Sequence, residues 1–384
     1  MRILQVSPGY PPDPGGIEHH VQALSQALVR RGHQVTVLAL SHPVTDAATG
    51  SVTAGAAQSQ AADGVDLVRV PTRSIGPFAL PRGLTGLLRS LAGSHQVVHV
   101  HNYHSPLPLL TLGAVRNVPV LVSPHFHGGG HSPAARLAHP AYRATFRARL
   151  PHAAGLVFVS AAERQRFERA FGTAVPASVV HHGVRSGSTA RRLPFAERPP
   201  LVLSVGRLEQ YKRVDLLIEA LGRLPAGLPW RAVVVGAGPD LPRLQQLVER
   251  CEPAVRDRVS FTGFISDAAL DRLMASARVL VSGSAHEAFG MSVLDAVAAG
   301  ARVVASDIPA HRELAGLAPG RISLWDPADQ AAGLGRLVET ALAVDPGQPT
   351  DPLLPTLPSW DDAAAVLAER YAQVGTGHRR AGAT

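Results

Sequence analysis

Short apolar runs alternate with amphipathic stretches along the whole chain. The run Ile3–Ser7 predicts a buried strand, and the Pro- and Gly-rich stretch 8–16 after it predicts a loop. Apolar residues then recur at helical spacing, at Ile17, Val21, Leu24 and Leu28. The next apolar run, Gln34–Leu40, predicts a second strand. The loop of this strand-loop-helix-strand unit lies at the carboxyl end of the first strand, where α/β sheets bind ligands.

Similar apolar runs continue along the chain and fall into two sets. The first set continues with Val97–Val100, Val118–Val122 and Gly155–Val159. The second set comprises Leu201–Val205, Ala232–Val235, Val279–Val281 and Arg302–Ala305. Because helical patterns separate the runs, we expect an α/β protein with two doubly wound parallel sheets. A chain of 384 residues is also too long for one core, since domains usually span about 50–250 residues.

Composition marks the domain boundaries. The stretch 185–200 is rich in Arg, Ser, Gly and Pro and is the predicted linker, so we expect domains at residues 1–185 and 186–358. Residues 41–65 are small and polar and predict a surface excursion, and the Pro-rich end of the second domain predicts a long loop. Residues 359–374 predict a closing helix, and residues 375–384 a disordered tail.

Basic charge is uneven along the chain and comes almost entirely from arginine. Of 37 basic residues one is a lysine; residues 1–185 carry 16 Arg against 7 acids, and residues 186–384 carry 21 basic residues against 22 acids. The excess in the first part favours a polyanionic partner. We find no nucleic-acid-binding signature and expect no nucleic acid, so an anionic membrane surface fits better. The alternative is that arginine-rich composition merely raises the charge.

One segment of the first domain has the pattern of an interfacial helix. Leucines fall on one face of it, at Leu84, Leu87, Leu88 and Leu91, and arginines crowd further on, at Arg136, Arg143, Arg147 and Arg149. Basic amphipathic segments lie at membrane interfaces. The alternative is a helix that packs its leucines on the core and leaves its arginines in solvent.

The location of the protein is indicated by three features. A single cysteine, Cys251, rules out an internal disulfide and fits a reducing compartment. No run of about 18 apolar residues predicts a spanning helix. The N-terminus enters a strand at once, so we expect no signal peptide. We therefore expect a cytoplasmic protein, with peripheral attachment to the inner face of the membrane as an open alternative.

The lone lysine follows a predicted strand in the segment Gly206-Arg207-Leu208-Glu209-Gln210-Tyr211-Lys212. Lysine is a compact, flexible point charge and arginine a rigid planar fork. Together, Arg207 and Lys212 suit a diphosphate. The alternative is an ordinary solvent-exposed lysine.

The segment 282–300 carries the densest chemistry of the chain. A strand ends there, a loop of small residues follows, and a helix is predicted to begin near Gly290, where its outward amides suit a phosphate. Glu287 lies in the loop and can accept hydrogen bonds from sugar hydroxyls, and Asp295 is placed for ribose hydroxyls. The alternative for Glu287 is an acid favoured by the helix dipole.

Taken in order, these motifs resemble those of family-4 retaining glycosyltransferases of the two-Rossmann-domain (GT-B) type. The similar segments are Gly15-Gly16, Gly206-Arg207 with Lys212, Val235–Pro239, Phe261–Phe264, Glu287 with Asp295, and Ala296–Gly300. The resemblance implies two Rossmann-like domains facing across a cleft, the first binding the acceptor and the second a nucleotide diphospho-sugar. It also implies a C-terminal helix that crosses back to the first domain.

The same resemblance assigns site residues. It implies catalytic roles for His125, Arg207, Lys212 and Glu287. It implies donor contacts at Gly15, Gly16, Gly206, Gly236, Gly238, Phe264, Ile265, Phe289, Gly290, Met291 and Asp295. The chain departs from the family pattern in three places. Asp295 is shorter than the usual Glu, Gly283-Ser284 replaces Pro-Ser, and His182–Arg185 replaces Asn-Gly-Val-Asp.

Histidines follow two strand ends of the first domain. The resemblance places His125 near the donor sugar, and we expect His101, His127 and His131 on the acceptor side. A zinc site at His125, His127 and His131 would lack a fourth ligand, so we expect no metal there. Of the pair early in the first helix, we expect His20 at the surface.

The implied reaction is a metal-independent, retaining transfer of a sugar from a UDP- or GDP-linked donor, without a cofactor. The chain contains no Asp-x-Asp pair for a divalent ion, so side chains would neutralise the diphosphate. The expected acceptor is a carbohydrate or a lipid-linked sugar of envelope polysaccharide or glycolipid synthesis. The alternatives are transfer to a small natural product, a nucleotide-sugar binding protein that has lost turnover, and a sugar-nucleotide epimerase.

Overall fold

Two largely parallel β-sheets, one in each of two units, form the framework of the protein. A computed structural model describes residues 1–13, 15–41, 58–72, 81–128, 133–172, 175–185, 193–343 and 356–381. Unit 1 comprises Met1–Gly183 with Ser359–Thr384, and unit 2 comprises Val184–Pro358.

Unit 1 alternates strands with helices. Its strands are β1 (Arg2–Ser7), β2 (Gln34–Ser41), β3 (Gln58–Ala62), β4 (Val65–Pro71), β5 (Val97–His101), β6 (Val120–Ser123), β7 (Gly155–Phe158) and β8 (Ala177–Val179). Its helices are α1 (Gly16–Arg30), α2 (Leu84–Ser94), α3 (Leu107–Ala114), α4 (Pro133–Arg149), α5 (Ala161–Phe171) and, from the end of the chain, α13 (Trp360–Ala381). The strand order is β3-β4-β2-β1-β5-β6-β7-β8.

Strand β1 is the first strand of unit 1 and lies in the interior of its sheet. It pairs in parallel with β2 on one side and with β5 on the other, so the order reverses between β1 and β5. Ligands of open α/β sheets bind outside the carboxyl ends of the strands at such a switch point. The loops after β1 and β5 therefore mark the functional edge of this sheet.

The hairpin of β3 and β4 is one part of unit 1 that the hydrophobic pattern did not predict. The two strands pair antiparallel across Asp63-Gly64, and both turn residues have positive φ, 53° and 77°. Asp-Gly is a strong signal for a two-residue hairpin turn with positive φ at both positions. Of the predicted surface excursion over 41–65, residues 42–57 lie outside the described residues, and residues 58–65 belong to this hairpin at the edge of the sheet.

Helix α13 belongs to unit 1, as the resemblance implied. Its residues Trp360, Leu367 and Tyr371 are buried in one core cluster with Val21 and Leu24 of α1. The helix continues to Ala381, beyond the predicted end at Val374. The sequence did not signal this extension because the last turns present small and polar residues without apolar periodicity.

Unit 2 repeats the same architecture with a shorter sheet. Its strands are β9 (Leu201–Val205), β10 (Arg231–Val235), β11 (Val259–Gly263), β12 (Val279–Ser282), β13 (Arg302–Ser306) and β14 (Ile322–Trp325). Its helices are α6 (Val214–Leu221), α7 (Leu241–Glu249), α8 (Pro253–Arg256), α9 (Asp267–Ser276), α10 (Met291–Ala298), α11 (Pro309–Leu317) and α12 (Gln330–Leu342). The strand order β11-β10-β9-β12-β13-β14 is the 3-2-1-4-5-6 order of dinucleotide-binding sheets.

The leucine stripe of α2 faces the core of unit 1. Leu84 and Leu88 are buried, and Leu87 and Leu91 pack against the same cluster. The leucines therefore pack on the core of unit 1, which is what the alternative to a membrane-facing helix predicted. Membrane contact stays a prediction, based on the arginines. Within the described residues, no helix combines the length and the apolar content that crossing a bilayer requires.

Two glycines let the loop after β10 pass against the loop after β9. A Cβ atom at Gly236, whose φ is 128°, would lie 1.9 Å from the carbonyl oxygen of Gly206. At Gly238 it would lie 2.2 Å from the carbonyl oxygen of Leu208. Backbone hydrogen bonds join the same loops, since the Leu208 amide donates to Ala237 O at 3.0 Å. The glycines of this turn are required by backbone packing.

We expect Gly238→Ala to destabilise unit 2 by about 1–3 kcal/mol, because the methyl group must displace backbone. The matched control is Gly227→Ala, where an added Cβ meets no atom within 4 Å and the expected change is within about 0.5 kcal/mol. Urea unfolding followed by tryptophan fluorescence measures both. Equal stabilities of the two variants would contradict the close approach.

Candidate functional site

A pocket lies at the switch point of unit 2, between the ends of β9 and β12. Its lining runs through residues 204–208, Lys212, Val214 and 281–284. The strands beneath it pair in parallel, with Leu203 opposite Leu280. Both motif loops singled out in the sequence therefore emerge at one place.

Lys212 and Glu287 form an ion pair beside this pocket. Lys212 Nζ lies 2.5 Å from Glu287 Oε1, and Ser284 Oγ donates to the same oxygen at 2.8 Å. Burial opposes both charges, but each partner outweighs that cost for the other. The pKa of Lys212 is therefore raised and the pKa of Glu287 lowered. Residues 75 positions apart in the sequence thus form one charged unit.

Arg207 lies on the same loop but is turned to solvent. Its side chain is 69% exposed, and its Nε lies 3.1 Å from Glu209 Oε1. Lys212 is far less exposed, at 19%. The two cations predicted to form a clamp thus differ in burial and have different acidic partners. Because the side chain of Arg207 is largely in solvent, it can reorient at little cost in free energy.

An aromatic stack braces the ion pair and was not predicted. The rings of Tyr211 and His286 are stacked, with centroids 4.3 Å apart. The Ala285 amide donates to Tyr211 O at 2.7 Å, which ties the two loops together again. Tyr211 directly precedes Lys212, and His286 directly precedes Glu287. This equivalent placement of two rings was visible in the sequence, but it was not used to predict the stack.

Helix α10 begins where the sequence predicted, with Gly290 as its N-terminal cap. The φ of Gly290 is 108°, and a Cβ atom there would lie 3.0 Å from Leu314, so glycine is required. Phe289 is buried, so its ring is covered by protein. Met291 opens the helix with partial exposure.

Asp295 is buried and accepts a hydrogen bond from the backbone at the start of unit 2. Its Oδ1 accepts from the Arg185 amide at 3.0 Å. The guanidinium of Arg185 in turn lies 3.2 Å from both Asp267 and Asp271. Burial raises the pKa of Asp295 to about 7, against the lowering effect of the Arg185 amide. This shorter acid thus anchors the start of unit 2, a role that the sequence did not indicate.

The end of β11 presents an exposed aromatic ring. Phe264 is 61% exposed, and Ile265 beside it is partly exposed. Of the predicted donor-binding positions near β10 and β11, these two are accessible, whereas Gly236 and Gly238 pack against neighbouring backbone.

In unit 1, His125 and His101 belong to a buried hydrogen-bonded chain. His125 Nε2 lies 3.2 Å from His101 Nδ1, and His101 Nε2 lies 2.7 Å from Gln5 Oε1. Gln5 Nε2 donates to Tyr371 OH at 3.3 Å. Burial lowers the pKa of His125 and His101 well below the ordinary value. Tyr371, on the last helix, thus supports a side chain at the functional edge.

The backbone of His125 is held in an unusual conformation by a buried acid. Its φ is 47°, in the left-handed region. Glu163 accepts from the Phe126 amide and from the Val159 amide, both at 2.7 Å. This carboxylate fixes the loop after β6 at the residue that follows His125.

The prediction that His20 lies at the surface was wrong. His20 is 6% exposed, and its ring centroid is 4.9 Å from that of His125. His20 shares its face of α1 with Leu24 and Ala27, at the helical spacing i, i+4, i+7, which was the signal available. Sequence reasoning used the neighbouring Val21 and missed this wider stripe.

The other predicted residues of unit 1 that the structure describes lie outside that cluster. His127 stacks on His104 at 4.2 Å, and His131 lies outside the described residues. Gly15 caps α1, and a Cβ atom there would lie 2.0 Å from Glu18 Oε2. Gly16 is exposed at the first position of the helix, where an amide can meet an anion.

We expect Asp295→Asn to change how the stability of unit 2 depends on pH. The pKa of Asp295 rises from 3.8 to about 7 on folding, so over this interval the folded state keeps a proton that the unfolded state loses. The free energy of unfolding therefore falls as pH rises toward 7. Asparagine stays neutral, so relative to wild type the variant should gain at least about 1.4 kcal/mol between about pH 5 and about pH 8.

Urea unfolding at the two pH values measures this gain. The control is Asp257→Asn, which removes an exposed carboxylate of the same unit. A constant difference between Asp295→Asn and wild type at both pH values would contradict the assignment.

Comparison with known families accounts for most of the chain. The profile described as Glycosyltransferase Family 4 matches residues 14–186, and the profile described as Glycosyl transferases group 1 matches residues 188–334. The chain is 28% identical to a glycogen synthase of Mycobacterium tuberculosis over 99% of this chain and 96% of that protein. It is 29% identical to a phosphatidyl-myo-inositol mannosyltransferase of Mycolicibacterium smegmatis over 87% of this chain and 83% of that protein.

Solved structures share the fold over their full length. Sucrose-phosphate synthase from Thermosynechococcus elongatus matches with a TM-score of 0.71 at 20% identity, covering 98% of this chain and 99% of that one. Anabaena HepE in complex with UDP matches with a TM-score of 0.68 at 18% identity, covering both chains completely. The fold is that of the GT-B glycosyltransferases. The chain belongs to the family-4, group 1 glycosyltransferases.

Proposed function

We propose that the protein is a retaining, metal-independent glycosyltransferase that takes a sugar from a UDP- or GDP-linked donor. The observation that carries the proposal is the Lys212–Glu287 pair at the switch point of unit 2. It supplies a partly buried cation for a diphosphate and a carboxylate for sugar hydroxyls at the edge of the sheet where α/β proteins bind nucleotides.

The donor is assigned to unit 2. Lys212 and Arg207 neutralise the diphosphate, with help from the amides at Phe289–Met291. Glu287 holds the sugar ring, while the exposed Phe264 offers a face to the base. Asp295, which the sequence predicted for the ribose, is buried against the Arg185 amide and is left out of the donor contacts. The solved structures of Anabaena HepE with UDP and with UDP-glucose support a nucleotide-sugar donor.

Charge neutralisation by side chains supports metal independence. The pKa of Lys212 is raised, so the ammonium remains charged at neutral pH. A cation beside the diphosphate stabilises the negative charge that develops as the sugar departs. Neutralisation of the diphosphate by side chains therefore does not require a divalent ion.

Retention fits the properties of Glu287. Its pKa is lowered by Lys212, so it is a weak base for an acceptor hydroxyl. We assign proton removal to the departing phosphate, which lies on the face that the acceptor attacks. Glu287 then acts by positioning the ring.

The acceptor is assigned to unit 1, with His125 near the donor sugar and His101, His127 and His131 on the acceptor side. We propose a carbohydrate or lipid-linked acceptor of envelope polysaccharide or glycolipid synthesis. A glycogen synthase and a phosphatidyl-myo-inositol mannosyltransferase among the relatives support these two classes. A cytoplasmic protein with peripheral contact to the inner membrane face fits this role.

Replacing the one lysine by arginine tests the pair while keeping the charge. In Lys212→Arg a planar guanidinium replaces the ammonium that lies 2.5 Å from Glu287 in the wild type. We expect kcat/KM for glycosyl transfer to fall at least about 10-fold, and about 10²–10³-fold in Lys212→Met, which removes the charge. The matched control is Arg223→Lys, an exposed site of the same unit, which should retain wild-type activity.

Full activity of Lys212→Met would contradict the proposal. Circular dichroism and urea unfolding of each variant separate loss of fold from loss of chemistry. Conversion of the nucleotide sugar into its epimer without any acceptor would instead favour the epimerase alternative.

Donor identity is tested by thermal unfolding with a panel of UDP- and GDP-sugars in the presence of EDTA. A donor that binds the folded state raises the melting temperature by mass action. We expect a shift with one nucleotide class and no added shift on supplying Mg²⁺ or Mn²⁺. A shift that requires the divalent ion would contradict metal independence.

A further inference from the structure

Three histidines of unit 1 converge although they come from three different elements. His20 lies on α1, His101 ends β5, and His125 follows β6. All three are buried, and one ring nitrogen of each lies within 4.8 Å of those of the other two. The cluster sits at the carboxyl edge of the sheet beside the switch point.

The spacing of two of these rings already matches that of metal ligands. His101 Nδ1 and His125 Nε2 are 3.2 Å apart. With Zn–N bonds of about 2.0–2.1 Å and tetrahedral angles, two ligand nitrogens on one zinc ion stand about 3.3 Å apart. The separation of the two nitrogens is therefore compatible with one shared zinc ion, once the proton of their hydrogen bond is released.

His20 supplies an independent reason to expect a ligand. His20 is 6% exposed, so it is 94% buried. Within the described part of the chain, neither of its ring nitrogens has a hydrogen-bond partner. A buried polar atom without a partner is costly and often marks an ion or water at that place. The His20 ring lies 5.3 Å from the His101 ring and 4.9 Å from the His125 ring, centroid to centroid.

The surroundings of His101 resemble the outer shell of a metal site. Its Nε2 lies 2.7 Å from Gln5 Oε1, so Nε2–H donates and Nδ1 keeps its lone pair toward His125. Metal-binding histidines almost always donate their second ring N–H to an oxygen acceptor in this way. Gln5 is itself fixed by Tyr371 of α13.

We propose that His20, His101 and His125 bind one Zn²⁺ ion. Three imidazoles without a carboxylate suit Zn²⁺ and exclude Mg²⁺ and Ca²⁺, which prefer oxygen ligands. The fourth position of the ion is left for water or substrate.

Zinc binding has one consequence that rests on the proposed function of His125. A ring nitrogen bound to zinc is lost to the donor sugar. We therefore infer that Zn²⁺ inhibits glycosyl transfer reversibly and that EDTA restores it. The site differs from the one rejected on sequence grounds, because His127 stacks on His104 and takes no part in this cluster.

The test is a titration of the full chain, without an affinity tag, with Zn²⁺ against a chromophoric zinc chelator at neutral pH. We expect one tight ion per chain, and at least tenfold weaker binding in His20→Gln. The matched control is His152→Gln, which removes an exposed histidine of the same unit and should bind as wild type does. Equal affinity of His20→Gln and wild type, or no tight site in wild type, would overturn the proposal.

Anomalous scattering at the zinc edge from wild-type crystals gives a second readout that needs no variant. A peak among the three rings supports the site, and a peak at other histidines, or water alone in the cluster, overturns it. Both readouts are independent of activity. A chain that transfers sugar but binds no zinc would refute this inference alone, and one that binds zinc but transfers no sugar would refute the proposed function alone.

Discussion

The proposed chemistry depends on a lysine ammonium held against a glutamate carboxylate at the end of a parallel sheet. Moving two charges out of water costs free energy, which a partly buried pair recovers only when further hydrogen bonds satisfy it. Ser284 supplies one such bond to Glu287, and the stacked rings of Tyr211 and His286 hold the two loops in register. The lysine is therefore positioned before any ligand arrives, and a diphosphate offers it a second anionic partner.

The fold placed this pair through strand order. The first and fourth strands of unit 2, β9 and β12, are neighbours, so their following loops emerge side by side although the paired residues are 75 positions apart. Unit 1 uses the same device, since β1 and β5 bring Gln5 and His101 together. In both units the paired residues are far apart in the sequence, and the strand order of the sheet brings them into contact. In unit 1 the joined groups are neutral, whereas in unit 2 they are charged.

Much of the fold followed from the sequence, because buried parallel strands and amphipathic helices have distinct periods. The helix start at Gly290 also followed, since a loop of small residues led into a helical pattern. Contacts made by ring stacking, such as that of Tyr211 with His286, have no sequence period and were missed. His20 was missed because polar residues are expected outside, yet its helix face is apolar. The anchoring of Arg185 by Asp295 joins residues 110 positions apart in the sequence, and no local pattern encodes such a contact.

The central claim is tested most directly by a crystal structure of the protein with a bound nucleotide diphospho-sugar. The account predicts that Lys212 Nζ lies within hydrogen-bond distance of a diphosphate oxygen, with no divalent ion on the phosphates. A divalent cation bridging those oxygens while Lys212 contacts Glu287 alone would contradict it, as would an empty switch point in unit 2 at saturating donor.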